Sequence, residues 1–238
     1  MMALFLNIMK KGVQKIYKEV ASTYELANHV LTYGLDILWR KKGAKTAARI
    51  GGEWWLDVCS GTGEMMHYLS RLKPEGTQIV SADFSRDMLI RSRKKNKEVH
   101  NHFVLTDAKK LPFPNDSFNL VTISFATRNI DSNRQRLITY FTEFHRVLKP
   151  GGMFMNLETS QPRSQLVRSL FHLYAKTIIK PVGYALSGSK SGYAYLAHTI
   201  PRFYDAPTLA DILSESGFSQ VEFDRRLLGI AAIHTAIK

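Results

Sequence analysis

The stretch Leu56-Asp57-Val58-Cys59-Ser60-Gly61-Thr62-Gly63-Glu64 constrains this chain more than any other. An apolar run that ends in a glycine turn and opens a helical segment reads as strand, turn, helix. Glycine has no Cβ and takes φ > 0 freely, so backbone there can approach a ligand closely. About 20 residues on, a second apolar run closes at Asp83, whose carboxylate can accept from both hydroxyls of a ribose. The pattern is not the dinucleotide fingerprint, because Met66 stands where a third glycine belongs, nor a P-loop, because no Gly-Lys-Ser/Thr follows. A helix that starts with Glu64 disfavours phosphate and favours a cofactor carrying positive charge. S-adenosylmethionine meets that description, with a ligand-free turn as the alternative.

Further apolar runs at 54–58, 79–84, 102–105, 120–125 and 153–157 read as strands. Amphipathic stretches at 65–72, 87–97 and 133–148 read as helices, broken by Lys73-Pro74-Glu75-Gly76 and Lys149-Pro150-Gly151-Gly152. That rhythm implies α/β architecture, a buried parallel sheet with helices on both faces. Residues 1–50 are helical in pattern and form a cap. An insertion at 161–204, rich in aromatic, basic and small residues, is placed to act as a lid over the C-terminal edge of the sheet. Residues 207–215 form a last helix ending at Gly217, and 221–237 supply an antiparallel pair turning near Gly229.

The 238 residues suit one α/β domain, with no second domain expected. The single cysteine, Cys59, excludes an internal disulfide, and no Cys/His cluster has metal-ligand spacing, so no metal is expected and a reducing cytoplasm is the simplest home. The formal net charge of +13 and pI near 9.8 point to an anionic surface, nucleic acid or lipid, without choosing between them. The apolar start, Met1 to Met9, lacks the charge order and cleavage site of a secretory signal and is too short to span a bilayer. It reads as a docking helix, or as a membrane-touching helix flanked by Lys10, Lys11, Lys15 and Lys18.

Asp83-Phe84-Ser85-Arg86-Asp87-Met88-Leu89, Asp107-Ala108 before Leu111-Pro112-Phe113-Pro114, the Phe118 to Asn129 stretch, Arg146-Val147-Leu148-Lys149-Pro150-Gly151-Gly152 and Leu157-Glu158-Thr159-Ser160 together resemble class I S-adenosylmethionine-dependent methyltransferases. More narrowly, the chain resembles the ubiquinone/menaquinone biosynthesis C-methyltransferases of the UbiE/MenG type. The resemblance runs nearly end to end, through Tyr24-Glu25-Leu26-Ala27-Asn28, Tyr193-Ala194-Tyr195-Leu196 and the closing Gly229 to His234. It implies a Rossmann-like, seven-stranded, mostly parallel sheet with an antiparallel C-terminal strand, and a demethylated polyprenyl quinol as acceptor. Where the family has Phe-Gly-Leu-Arg-Asn, this chain has Phe125-Ala126-Thr127-Arg128-Asn129, which puts a hydroxyl where an aliphatic side chain is expected to touch the acceptor. The acidic end of the glycine loop, usually Asp, is Glu64 here.

The cofactor positions so implied are Asp57, Gly61, Thr62, Gly63, Asp83, Phe84, Met88, Asp107, Ala108 and Ser124. Asp83 serves the ribose, with capping of the next helix as the alternative, and Asp107 and Ala108 serve the adenine, with a surface turn as the alternative. Ser124 faces the methionine end or is a core hydroxyl. For catalysis the candidates are Arg128, Tyr24 and His234. A quinol hydroxyl with a pKa of roughly 10 is scarcely ionised at neutral pH, so a guanidinium beside it stabilises the anion and drives electron density to the ring carbon. Pairing of Arg128 with Asp131 or Glu158 is the structural alternative. Tyr24 is placed to orient the hydroxyl, and His29, His198 and His234 are candidate bases beside water. Tyr193, Tyr195, Phe171 and Tyr174 could line a tunnel for the ring and prenyl chain. The partners implied are the quinol and an anionic membrane surface. No nucleic acid is expected, since the basic residues are dispersed, and a homodimer is left open.

Overall fold

A computed structural model describes residues 22–97 and 101–238; the helical reading of residues 1–21 falls outside them. Strands β1 (Trp54–Val58), β2 (Gln78–Asp83), β3 (Asn101–Leu105), β4 (Phe118–Ser124), β5 (Leu148–Thr159), β6 (Ser219–Arg226) and β7 (Ala231–Ile237) form one sheet in the order β3-β2-β1-β4-β5-β7-β6. β1 to β5 pair in parallel, and β7 enters antiparallel between β5 and β6. This is the α/β sheet expected.

The helices are α1 (Tyr24–Leu31), α2 (Leu35–Ala47), α3 (Glu64–Ser70), α4 (Arg86–Lys95), α5 (Thr127–Ile130), α6 (Arg134–Val147), α7 (Gln165–Tyr174), α8 (Lys180–Ser187), α9 (Lys190–Thr199) and α10 (Ala206–Glu215). The apolar stripe Leu137, Tyr140, Phe141, Phe144 and Val147 buries one side of α6 against one sheet face, where Phe154 and Phe218 complete the cluster. Asn133 caps α6 by accepting from the Arg136 N–H at 3.1 Å, and Asp205 caps α10 by accepting from the Thr208 N–H at 3.0 Å. On the opposite face Trp39, Trp55, Met65, Met66, Ile79 and Met155 pack beneath α2 and α3. A third cluster joins Ala27 and Leu31 of α1 to Phe171, Ala175, Ile179, Tyr193 and Ile200 of the 161–204 insertion. Within that insertion a π-helical turn, Ala175–Ile179, links α7 to α8.

The expected break at Lys149-Pro150-Gly151-Gly152 is instead the first third of β5. Register with β4 shifts between Phe118 and Leu120, and Gly151 at φ +74° absorbs the irregularity. The C-terminus makes this extension strand-like: the Gly151 N–H donates to the Lys238 carbonyl and the Lys238 N–H to the Gly152 carbonyl, both at 3.0 Å. Pro150 sits at a strand start, where its missing N–H costs no ladder bond.

Candidate active site

β1 and β4 are neighbours, yet the chain leaves β1 toward β2 and β3 and leaves β4 toward β5. Such a reversal opens a crevice at the carboxyl ends of the two strands. Both exits use a non-glycine residue in left-handed conformation, Cys59 at φ +53° after β1 and Phe125 at φ +52° after β4. Strain of this kind persists where the surroundings fix it, and it clusters at ligand sites.

A cleft of about 50 Å³ lies at this reversal, lined by Cys59, Gly61, Thr62, Glu64, Asp83, Phe84, Met88 and Ser124 among others. The Gly61 N–H donates to Asp83 Oδ2 at 2.9 Å and the Ser85 N–H to Oδ1 at 2.8 Å, fixing the carboxylate at the end of β2. Burial pushes the Asp83 carboxyl up to about 6 despite these donors. A side chain at Gly61 would project into open space, so the loop leaves room for a ligand against its backbone. Gly63 has a different role: at φ +81°, its Cβ would stand 2.2 Å from Ser92 Oγ, so it lets α4 pack against the loop.

Four of the expected cofactor residues thus stay outside this lining. Asp57 is fully buried in the middle of the sheet, accepting from Thr122 Oγ1 at 2.8 Å, and burial raises its pKa to about 7. Gly63 packs as described. Asp107 lies on an exposed turn, accepting from the Lys109 N–H at 3.0 Å, and Ala108 is buried in the core beside Leu111. The Asp107 charge still reaches the cleft, adding to the burial and the Asp83 and Asp57 charges that push the Cys59 thiol up.

Tyr24, Arg40, Phe125 and Asn129 line this cleft and also a larger cavity of about 390 Å³. The larger space is enclosed by α1, α2, the start of α5 and the helices of the 161–204 insertion, so that segment covers it as a lid. All four expected tunnel aromatics, Phe171, Tyr174, Tyr193 and Tyr195, line it. So does Arg128, almost wholly buried. Its Nη1–H donates to Thr199 Oγ1 at 3.2 Å, its backbone N–H donates to Glu158 Oε2 at 3.1 Å, and its Nε stands 3.8 Å from Glu158 Oε1. The alternative pairing with Glu158 is therefore present, while Asp131 pairs with Arg136 instead. The pairing with Glu158 holds the guanidinium in the cavity wall. Burial raises the Tyr24 hydroxyl above its usual range, against the lowering influence of Arg40 and Arg128. Tyr24 is a proton-bearing donor at neutral pH.

Sequence reasoning missed Arg40. It is buried between Asp36, at 2.6 Å, and Glu64, at 3.2 Å, and lies 4.8 Å from the centroid of Phe125. The signal was legible: Asp36 and Arg40 stand four apart on an otherwise apolar helix face, which brings them together. His29 closes the network, 2.9 Å from Asp36 and 3.5 Å from Glu64, and lies outside both linings. Burial raises the Glu64 carboxyl while Arg40 opposes the rise.

Three expectations are corrected by the packing. The Thr127 hydroxyl does not touch the acceptor space; it is fully buried and donates to Asn156 Oδ1 at 2.5 Å. We expect Thr127→Val to cost about 1–3 kcal/mol in chemical denaturation, because Asn156 loses its donor, and to leave the acceptor KM within about twofold. His198 is exposed and bonded to Arg202. His234 is a core residue of β7 whose Nε2–H donates to the Ala206 carbonyl at 2.9 Å, tying the sheet to the start of α10, away from both cavities.

Burial lowers the His234 pKa to about 4. The unfolded chain, with a histidine near 6.5, binds the proton first, so stability from this group is lost as pH falls below about 6.5. Between pH 7 and 4.5 the loss is about 2 kcal/mol. His234→Gln, which keeps a donor for Ala206, should show a correspondingly flatter stability over that range in urea denaturation.

A seven-stranded sheet of this order, with a glycine loop, a strand-end acid and a crevice at the β1/β4 reversal, defines a class I methyltransferase. A solved S-adenosylmethionine-dependent methyltransferase from Aquifex aeolicus shares the fold, with TM-score 0.56 and 15% identity over 82% of this chain and 88% of that one. The ubiE/COQ5 methyltransferase family matches residues 6–238, and the chain belongs to that family. It is similar to the demethylmenaquinone methyltransferase of Clavibacter sepedonicus, 37% identical over 95% of this chain and 90% of the relative. It is also similar to the ubiquinone/menaquinone biosynthesis C-methyltransferase UbiE of Desulfotalea psychrophila, at 33% over the same shares. The enzyme is an S-adenosylmethionine-dependent methyltransferase, and the cleft's open glycine loop suits that cofactor.

Proposed function

We propose that this enzyme methylates a ring carbon of a demethylated polyprenyl quinol, a reading supported by its similarity to a demethylmenaquinone methyltransferase and a ubiquinone/menaquinone biosynthesis C-methyltransferase. The observation that carries the reading is a large apolar cavity that joins the cofactor cleft, with Tyr24 lining both and Arg128 in the cavity wall. A quinol suits such a cavity, its ring oxygens meeting Tyr24 and Arg128 and its apolar tail meeting the aromatic lining.

S-adenosylmethionine supplies a methyl group on a sulfonium, which leaves without acid catalysis. Asp83 would hold the ribose, Thr62 and Ser124 the methionine end, and Asp107 the adenine of the bound cofactor. The chain's work is to place the ring in line and make its carbon nucleophilic. Arg128 stabilises the phenolate and so moves charge to the ortho carbon. Tyr24 donates to the ring oxygen and fixes its orientation. The ring-hydroxyl proton leaves first and the proton of the methylated carbon last. With His234 in the core, His198 on the surface and His29 bound to Asp36 outside both linings, water is the acceptor of both.

Thr127 faces Asn156 and Ala126 lines the cofactor cleft rather than the larger cavity, so neither departure gives ground for a different acceptor. No described helix is long and apolar enough to cross a membrane. We place the enzyme in the cytoplasm, meeting its acceptor at an anionic membrane surface. Purified protein with methyl-labelled cofactor should transfer label to a demethylated naphthoquinol or benzoquinol bearing a prenyl chain. Absence of transfer to every such quinol sinks the reading.

A further inference from the structure

The lid is as apolar outside as inside. Val167, Leu170, Phe171 and Tyr174 of α7 line the large cavity. Leu166 and Leu173, seven apart on the same helix, are nevertheless 71% and 57% exposed. A helix apolar on both sides needs a second apolar neighbour. Beside it, the turn after β6 holds Leu227 and Leu228 at φ +42° and +56°, and Leu228 is 73% exposed. That turn abuts the start of α7, since a Cβ on Gly229 would lie 3.3 Å from the Pro162 Cα. At the other end Tyr33, at φ +53° and 82% exposed, lies 6.5 Å from the Tyr174 ring. Three bulky apolar residues are thus held in a costly backbone conformation that displays them to solvent, and Tyr33 and Leu227 also line the cavity. They mark its mouth.

On the insertion the charge has one sign, while beside the Leu227–Leu228 turn the exposed Asp224 is paired with Arg226 at 3.1 Å. Residues 161–204 contain six lysines and arginines, Arg163, Arg168, Lys176, Lys180, Lys190 and Arg202, and no aspartate or glutamate. Arg163, Lys176 and Lys180 are exposed. An apolar helix on an insertion without acids and with exposed cations matches the boundary of an anionic bilayer, where leucines enter the acyl region and cations meet the headgroups.

We infer that α7 and the Leu227–Leu228 turn form a membrane-docking face that sets the cavity mouth against anionic lipid, so that a tailed acceptor enters from the bilayer without crossing water. The inference rests on the quinol reading, because a tail is what requires such a mouth.

The test uses the full chain and the variant Leu166→Ser/Leu173→Ser/Leu228→Ser, whose three positions lie outside the cavity lining. Sedimentation with phosphatidylcholine vesicles, with and without phosphatidylglycerol, should show wild-type binding only to the anionic vesicles, weakened by salt. The variant should bind those vesicles at least tenfold more weakly. It should also methylate a tail-free quinol at the wild-type rate while losing turnover on a vesicle-borne prenyl quinol. Equal vesicle binding by the two proteins overturns the inference, as does wild-type binding indifferent to lipid charge. So does light scattering that shows a dimer broken by the variant with vesicle binding unchanged, which assigns the face to a second copy. Should the variant fail to fold, a fluorophore on Leu166→Cys must be quenched by brominated anionic lipid; an unquenched signal refutes the docking. If no quinol of any kind is methylated, the acceptor reading fails while the vesicle assay still judges the face.

Discussion

Replacing Arg128 by glutamine should lower kcat by about a hundred- to a thousandfold, the usual loss when a preorganised group facing developing charge is removed. Cofactor affinity, measured by calorimetry, should stay within about threefold, because Arg128 lines the larger cavity and not the cleft. The buried Glu158 keeps three of its contacts in the variant, from the backbone N–H of residue 128 and from the N–H and hydroxyl of Thr159. Folding therefore survives and the kinetic loss is readable. The pH profile gives the chemical signature. Without the guanidinium the hydroxyl keeps its own pKa, roughly 10 as for tyrosine, so the variant's rate should climb with pH well beyond the wild-type plateau. Arg128→Lys keeps the charge and should recover part of the rate. A variant that loses cofactor affinity in parallel with kcat, or shows an unchanged pH profile, removes Arg128 from the chemistry and leaves only its pairing with Glu158.

Asp83→Asn should weaken cofactor binding by about a hundredfold, since two hydrogen bonds to a charged acceptor are each worth about 1.5–3 kcal/mol and only part of that survives in an amide. The wild-type affinity should also fall as pH drops below about 6, where the carboxyl takes up a proton. The amide of the variant has no such titration, so its profile should be flat. Stability runs the other way: the folded carboxyl titrates near 6 and the unfolded one near 3.9, so this group's contribution declines as pH rises from about 4 to 6. The fold therefore tolerates a desolvated carboxylate, held by the Gly61 and Ser85 N–H groups, that a bound ribose would stabilise further. An Asp83→Asn enzyme that binds cofactor as the wild type does would place the ribose elsewhere.

The sheet was legible because each parallel strand is an apolar run between a turn and a helix, and burial on both faces needs no finer pattern. That same feature hid Asp57. In a strand buried on both sides, alternation does not tell which face points to the loop, and Asp57 turned to Thr122 inside the sheet. His234 was hidden likewise, on a β7 whose first four residues are all buried. Local spacing placed the aromatics of the insertion near one another, and the lid helices gathered them around one cavity.

What the sequence by itself determined is the rhythm of strands and helices, the glycine loop with Asp83 about 20 residues beyond it, and the excess of positive charge, all of them local or compositional properties. Tertiary structure alone decided which groups distant in sequence share a space: Arg128 with Glu158, not Asp131, and with Thr199, Arg40 with Glu64, and Thr127 against Asn156. These partners, up to 71 positions apart, meet only because burying a charge or hydroxyl demands a partner wherever the folded chain can supply one.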